Sequence, residues 1–174
     1  MRSQLFLVPA AIIGAATPAF AMEQQTLDAA QKRLFPGATL TPADFTLQPE
    51  QMERIKQDYK VPFLRPNFKA WRASNGEMLF MDQVYGLNDI ITYLVAVDKK
   101  NNVKGVEILV CAEGFCDIAE EKWKAKFYGR TAGKWEPAEG IVISGATLSC
   151  VHVSEGSKKM LGINALYVSK GKVG

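Results

Sequence analysis

The sequence has few of the residues that build metal and haem sites. It contains one histidine, His152, and three cysteines, Cys111, Cys116 and Cys150. No Cys-x-x-Cys-His run is present, which excludes the usual attachment of c-type haem. The cysteines and His152 could together ligate zinc, but the step from Cys111 to Cys116 is looser than structural zinc sites use. We therefore predict no metal site.

The sequence also lacks clustered charge and a nucleotide loop. Its formal net charge is +3, and the basic residues are scattered along the chain. Without a basic stripe, no nucleic-acid partner is expected. The Gly-x-x-x-x-Gly-Lys-Ser/Thr pattern of P-loop proteins is absent as well. The length of 174 residues predicts a single domain.

The N-terminus has the pattern of a signal peptide. Arg2 precedes a mostly apolar stretch over residues 5–16, and Ala19-Phe20-Ala21 has the small-x-small form of a cleavage site. We predict cleavage after Ala21 and a periplasmic location. The predicted organisation is a signal peptide at 1–21, N-terminal helices and a connector at 22–70, and a folded domain at 71–170.

The alternative to cleavage is a retained membrane anchor. The apolar stretch is interrupted by Pro9, Gly14 and Pro18, and it is shorter than the roughly 20 residues that a membrane span needs. No later segment is long and apolar enough to span a bilayer, so we expect a mature chain that does not cross the membrane.

Disulfides can form outside the cytoplasm. Cys111 and Cys116 could pair if the chain turns between them; otherwise all three cysteines are buried apolar residues.

The middle of the chain predicts antiparallel strands. Period-two patterns and short turns place strands at residues 69–73, 78–85, 90–97 and 103–111. Helices are predicted after Thr26, around Met52 to Tyr59, after Asp117 and from Ser149 to about Leu161, with loop at 38–50 and a last strand at 165–169. The predicted fold is α+β, an antiparallel sheet with packed helices.

The segment from Ile141 to Cys150 carries the chemistry. Residues 141–143 predict a short buried strand, Ser144 to Thr147 a turn, and a helix follows. A turn of small residues before a helix directs backbone N–H groups and the positive end of the helix dipole at an anion such as phosphate. The alternative is an ordinary turn in which Ser and Thr serve only as helix caps. The dipole supplies about 0.3–1 kcal/mol, too little to hold a cofactor alone.

Ser144-Gly145-Ala146-Thr147 resembles the flavinylation motif of the FMN-binding domain family, which includes flavin-carrying components of the sodium-pumping NADH:quinone reductase and of the Rnf complex. The resemblance extends from about Phe80 to about Leu161 and is nearest to small soluble periplasmic members. It also rests on Asp82-Gln83-Val84-Tyr85-Gly86, Glu113-Gly114, Trp123, Phe127-Tyr128-Gly129 and residues 143–156.

The resemblance implies a covalent cofactor. A flavin transferase that uses FAD and Mg²⁺ would join FMN to the Thr147 hydroxyl through a phosphoester, so that Thr147 becomes a phosphoryl threonine. It implies an electron carrier for a membrane-bound redox partner rather than an enzyme with its own substrate. The implied cofactor-binding residues are Thr147, Ser144, Gly145, Ala146, Leu148, Ser149, Glu113 and Gly114. Phe115, Trp123, Phe127 and Leu148 are candidates for contact with the flavin ring, although the aromatic residues also suit a core.

Two positions depart from the family pattern. Ile141 stands where the motif commonly has Asp, and Glu113-Gly114-Phe115 stands where larger members have Glu-Thr-Pro-Gly. These departures keep two alternatives open. One is a module that binds FMN noncovalently or has no flavin, and the other is a flavin-dependent periplasmic reductase.

Overall fold

The computed structural model describes residues 19–111, 117–135 and 142–173. Its strands are β1 (Leu40–Pro42), β2 (Phe45–Thr46), β3 (Asn67–Ala73), β4 (Met78–Tyr85), β5 (Ile90–Val97) and β6 (Val103–Val110). They form one antiparallel sheet in the order β1-β3-β4-β5-β6, with β2 also paired to β3. The predicted meander from β3 to β6 is confirmed.

The helices in the described residues pack on this sheet. They are α1 (Ala19–Leu34), α2 (Pro49–Tyr59), the single turn α3 (Glu121–Lys124) and α4 (Thr147–Ile163). Short 3-10 turns occupy Asp117–Ala119, Ala125–Phe127 and Ala132–Lys134, and a π-helix, Asn164–Val168, continues α4. The predicted α+β class is therefore confirmed. Across the described ranges, no helix has the length and apolar character that a bilayer crossing demands.

Both faces of the sheet are covered because its central strands are apolar on both sides. On β4, Phe80 and Val84 belong to the core beneath α4, whereas Leu79 belongs to a second core with Ala30 and Leu34 of α1. Successive side chains of a strand point to opposite faces, so each core takes alternate residues. The face beneath α4 holds the larger core.

Two glycines let α4 lie close to its neighbours. A Cβ built at Gly156 would lie 1.7 Å from the Tyr93 hydroxyl, and one built at Gly162 would lie 2.8 Å from the ring of Tyr59. Both distances are shorter than real side chains allow, so any larger residue would force the helix away from the sheet or from α2. Gly156 thus sets the height of α4 above β4 and β5, and Gly162 sets its distance from α2.

Several predicted elements differ from the structure. The strand predicted at residues 165–169 is helical through Val168, because a short buried apolar run suits a buried helix equally well. The helix predicted from Ser149 begins two residues earlier, at Thr147. Val142 and Ile143 are not in a strand, and the single helix predicted after Asp117 is divided into short turns.

The N-terminal part brings one further correction and leaves one prediction untested. The stretch 38–50, predicted as loop, contains β1 and β2, which pair with β3 across a distance in sequence that local patterns do not reveal. Helix α1 begins at Ala19, upstream of the predicted cap Thr26. Residues 1–18 lie outside the described residues, so the signal peptide and its cleavage after Ala21 stay predictions.

Candidate functional site

A tight turn leads into α4. The Ala146 N–H donates to the Ile143 carbonyl over 3.1 Å, which closes the turn around Ser144 and Gly145. Gly145 has a φ of +88°, in the region that side chains with a Cβ avoid. The backbone there has open space, because a Cβ at Gly145 would meet no atom within 4 Å. The glycine is therefore required by its backbone conformation and not by crowding.

The N-terminus of α4 is open to an external group. Its N-cap residue is Ala146, which has no side-chain oxygen to accept from the first-turn N–H groups, and no side-chain cap is seen within the described part of the chain. The first N–H groups of a helix have no partner within that helix, and the dipole gives them partial positive charge. Thr147 and Leu148 are exposed here, whereas Ser149 is 1% exposed. An anion placed beside Thr147 would meet these N–H groups.

Exposed apolar side chains surround this helix end. Eight large apolar residues in the described ranges are exposed. Four of them, Tyr85, Leu87, Ile90 and Val110, lie at the end of the sheet where His152 of α4 meets Tyr85, and three more come from the connector and from the start of α4. Tyr85 and Ile90 pair across the turn between β4 and β5, and Val110 ends β6 beside them. We call this set the apolar rim: Leu64, Tyr85, Leu87, Ile90, Val110, Val142 and Leu148. Such clustering marks a surface that binds a partner molecule or ligand.

A small cleft lies between the apolar rim and α4. It measures about 180 Å³ and is lined by Pro62, Leu64, Val84, Tyr85, His152, Gly156 and Lys159. Leu148, His152 and Gly156 follow one another at four-residue steps, so they form one stripe along α4. His152 ties the helix to the sheet, because its Nδ1 lies 2.5 Å from the Tyr85 carbonyl oxygen. The cleft therefore begins about one helical turn beyond Thr147.

A buried ion pair fixes the floor of the cleft. Lys159 Nζ lies 2.7 Å from Asp82 Oδ2, both side chains are almost fully buried, and the Tyr93 hydroxyl donates to the same carboxylate oxygen over 2.9 Å. The Lys159 ammonium also faces the rings of Phe63 and Phe68. Burial first, and then the Asp82 carboxylate, raise the pKa of Tyr93 well above its ordinary value. These contacts join α4, β4 and β5 into one unit under the cleft.

A larger hollow of about 680 Å³ lies on the other side of the sheet. Met81, Gln83 and Thr92 line it, together with charged residues such as Arg65 and Lys69. Its β4 residues alternate with Phe80, Asp82 and Val84, which face α4, so the hollow opens away from that helix. The hollow is larger than the cleft, but it lies on the opposite side of the sheet from α4 and is therefore not part of the candidate site.

Residues 86–162 match the family model of the FMN-binding domain. The chain contains an FMN-binding domain. The match covers β5, β6, α3 and nearly all of α4, so it includes the turn and most of the apolar rim. The cofactor that this domain indicates is FMN. No curated protein matches the chain.

The described residues of the FMN-binding domain fit the two ends of its cofactor. FMN has a dianionic phosphate at one end and a planar, largely apolar ring system at the other. The open N–H groups at Thr147 suit the phosphate. The apolar rim and cleft suit the ring, and His152 lies about 7.5 Å from Thr147 along the helix axis at 1.5 Å per residue. FMN bound here would bring two-electron and one-electron redox chemistry that the side chains of the chain lack.

The structure separates the predicted site residues into three groups. Ser144, Gly145, Ala146, Thr147 and Leu148 lie together at the open end of α4, with Ala146 buried in the core. Ser149 is nearby in sequence, but its side chain is buried. Glu113, Gly114 and Phe115 lie outside the described residues, so their predicted contacts with FMN stay predictions.

Two aromatic candidates for ring contact belong to the core instead. Trp123 and Phe127 are almost fully buried, with ring centroids 4.8 Å apart, and both belong to the main core cluster. Of the cysteines, Cys111 is in a disulfide and Cys150 is a buried thiol, while Cys116 lies outside the described residues. In the part of the chain that the structure describes, no group of three or more His, Cys, Asp or Glu side chains could hold a metal ion.

Sequence reasoning misses most of the apolar rim. It assigns Leu64 to the connector and Ile90 to a strand. One signal is present: Leu87 is an apolar residue in a turn whose other members, Gly86, Asn88 and Asp89, are small or polar. A single exposed leucine is common in folded proteins, so this signal does not by itself define a contact surface.

Proposed function

We propose that the protein is an exported electron carrier that holds FMN through a phosphoester to Thr147. The observation that carries this proposal is the exposed residue Thr147 at the open N-terminus of α4, in the FMN-binding domain and close in sequence to the rim residue Leu148. A threonine in this position can be reached by a modifying enzyme. Its first-turn N–H groups can also stabilise the phosphate once the bond has formed.

Exposure favours Thr147 over its neighbours as the attachment point. Ser149 is 1% exposed, so a transferase could reach its hydroxyl only after local unfolding. Ser144 is exposed, but it precedes the helix by three residues and lies on the turn rather than at the first helical position. The resemblance to the flavinylation motif independently selects the last residue of Ser144-Gly145-Ala146-Thr147.

The proposed attachment reaction uses FAD as the donor. The Thr147 hydroxyl oxygen attacks the phosphorus on the FMN side of FAD and loses its proton to a base of the flavin transferase. The bond from that phosphorus to the bridging oxygen breaks, and AMP leaves with Mg²⁺ balancing its charge. Covalent attachment supplies the retention that a helix dipole of about 0.3–1 kcal/mol cannot.

The apolar rim supports a carrier role. It would shield one side of the bound ring from water while leaving the site at the surface of the protein. A partner protein could then approach the ring closely without a channel or a conformational change. We propose a membrane-bound redox partner, because the N-terminal pattern through Ala21 is that of a chain exported across the cytoplasmic membrane.

A denaturing gel tests the covalent bond. The full-length chain is expressed with and without an FAD-dependent flavin transferase, and the periplasmic fraction is separated in detergent. We expect a fluorescent band only with the transferase, and an N-terminal residue of Met22 in that band. A fluorescent band that remains in the cytoplasmic fraction with Met1 intact would contradict export but not attachment.

Noncovalent FMN is the second candidate, and Ile141 is the observation that favours it. Ile141 occupies the motif position that commonly carries Asp, so a transferase that reads this residue would modify the chain poorly. In that case the native protein would be yellow, but its flavin would leave in detergent and the gel band would be dark. Turnover of small acceptors by the isolated reduced protein would instead indicate a reductase.

A further inference from the structure

We propose that His152 is a proton-exchanging residue of the flavin site, taking up a proton when the bound FMN is reduced. This inference rests on the proposed position of FMN beside Thr147. It assigns a role to the only histidine of the chain, which neither the flavinylation motif nor the proposed attachment uses.

The orientation of the imidazole is fixed by one contact. Nδ1 lies 2.5 Å from the Tyr85 carbonyl oxygen, and a carbonyl can only accept a hydrogen bond. Nδ1 therefore carries a hydrogen in the neutral ring, and Nε2 is the nitrogen that gains and loses the second proton. Because Tyr85 ends β4, this contact holds the ring at the mouth of the cleft.

His152 is the group among the cleft residues suited to exchange protons near neutral pH. The other described lining residues are apolar or glycine, except Lys159 and Tyr85, and a phenol ordinarily keeps its proton at neutral pH. The Lys159 ammonium is already paired with Asp82 at 2.7 Å and is almost fully buried. An imidazole has an ordinary pKa of about 6.5, so small changes in nearby charge alter its protonation.

The charged groups around His152 come from each neighbouring element. Helix α4 contributes Glu155 and Lys159, and β4 contributes Asp82; Arg65 of the connector instead donates to Gln83 over 2.7 Å on the other side of the sheet. From β5 comes the neutral Tyr93, which donates to Asp82. The Lys159 and Asp82 charges largely cancel, so a new charge on the flavin ring would be the main change that His152 experiences during a redox cycle.

The proton balance of the step is explicit. If FMN is bound here, His152 would take one solvent proton at Nε2, becoming an imidazolium, when an external reductant supplies two electrons; the reduced flavin would hold the other proton and one negative charge. Reoxidation by the partner removes the two electrons and returns both protons. The chain thus neutralises in part the charge that reduction places in an apolar cleft, where an unpaired charge is unfavourable.

The expected effect is a shift in the pKa of His152. A charge close to an ionisable group typically shifts its pKa by about 1–3 units, and a negative charge in the cleft favours the protonated imidazole. Proton binding and reduction are linked reciprocally. Each unit by which reduction raises the His152 pKa means that the reduced protein binds this proton tenfold more tightly, and it raises the two-electron potential by about 30 mV at pH values below both pKa values.

NMR titration of His152 in the FMN-loaded chain tests the proposal, first oxidised and then reduced with dithionite. We expect the pKa to be at least one unit higher in the reduced protein, and His152→Gln to lose the corresponding pH dependence of the potential. The glutamine amide can still donate to the Tyr85 carbonyl, so the fold has a matched replacement. Equal pKa values in the two redox states would overturn the proposal.

The control separates this proposal from the covalent bond. If FMN proves to be released in detergent, the titration is run with excess FMN bound noncovalently, and the same comparison decides the role of His152. In Thr147→Val protein freed of flavin, dithionite should leave the His152 pKa unchanged. A rise there would show that the shift does not come from FMN and would also overturn the proposal.

Discussion

Replacing Gly156 by alanine should destabilise the protein strongly, because this glycine is where α4 meets the sheet. The added Cβ would lie 1.7 Å from the Tyr93 hydroxyl oxygen, 2.9 Å from the carbon bearing it and 3.4 Å from Asp82 Oδ2. Tyr93 is fully buried, so its ring has no solvent-facing space into which it can move. Any shift that relieves the clash also breaks its 2.9 Å hydrogen bond to Asp82.

The magnitude follows from three terms. Overpacking a core costs about 1–3 kcal/mol, and losing a hydrogen bond to a charged group costs about 1.5–3 kcal/mol. Alanine in a helix offsets roughly 1 kcal/mol relative to glycine. The net loss in the free energy of unfolding for Gly156→Ala is therefore about 3 kcal/mol, which corresponds to roughly 6–12 °C in Tm for a domain of this size.

Urea unfolding and calorimetry of the mature protein measure this loss. Gly133→Ala is the matched control, because a Cβ there meets no atom within 4 Å, and its stability should change by less than about 0.5 kcal/mol. Tyr93→Phe in the Gly156→Ala background removes the nearest clashing atom, so the two losses should not add. Equal Tm values for the Gly156 and Gly133 variants would refute the close approach of α4.

Three further predictions concern other contacts. Burial alone would raise the pKa of Glu107, but hydrogen bonds from Arg33 and Lys124 outweigh burial and lower the pKa. The contribution of the Glu107 carboxylate to folding stability is therefore present above about pH 4.3, and it is lost as the pH falls through the lowered pKa. The urea midpoint of Glu107→Gln should therefore be lower than that of the wild type at pH 6, and the two should converge as the pH falls through the lowered pKa. A difference that stays constant with pH would contradict this account. Gly145→Ala should lower the free energy of unfolding by about 1–2 kcal/mol, since φ is +88° there, and slow flavin attachment. Lys159→Met should cost about 3–5 kcal/mol in the same unfolding assay because it leaves a buried carboxylate unpaired, and a loss below 1 kcal/mol would contradict the buried pair.

The regular parts of the fold are predictable because their signals are local. Strands β4 and β5 have the bounds expected from their apolar patterns, and Asn75-Gly76 turns the chain between β3 and β4. The end of the chain is not predictable in this way. Residues 165–168 form a mostly apolar run, and such a run is compatible with a strand until its packing after α4 is known.

The candidate site likewise has one part that can be predicted from local sequence and one part that depends on tertiary packing. The turn at Gly145 and the helix after it are encoded within a few residues, so their position can be inferred from the sequence. The apolar rim joins Leu64, Tyr85 and Leu148, which come from three separate parts of the chain. Its existence depends on how β4 and β5 meet α4, and that contact in turn depends on Gly156, His152 and the buried Lys159 pair.

The intact mass of the mature chain after coexpression with a flavin transferase tests the central claim most directly. Thr147→Val keeps the shape of the side chain and removes the hydroxyl, while Ser149→Ala removes the buried hydroxyl nearby. We predict that the wild type and Ser149→Ala gain the mass of one FMN minus water and that Thr147→Val gains nothing. A mass gain that persists in Thr147→Val would contradict the assignment of Thr147 as the attachment point.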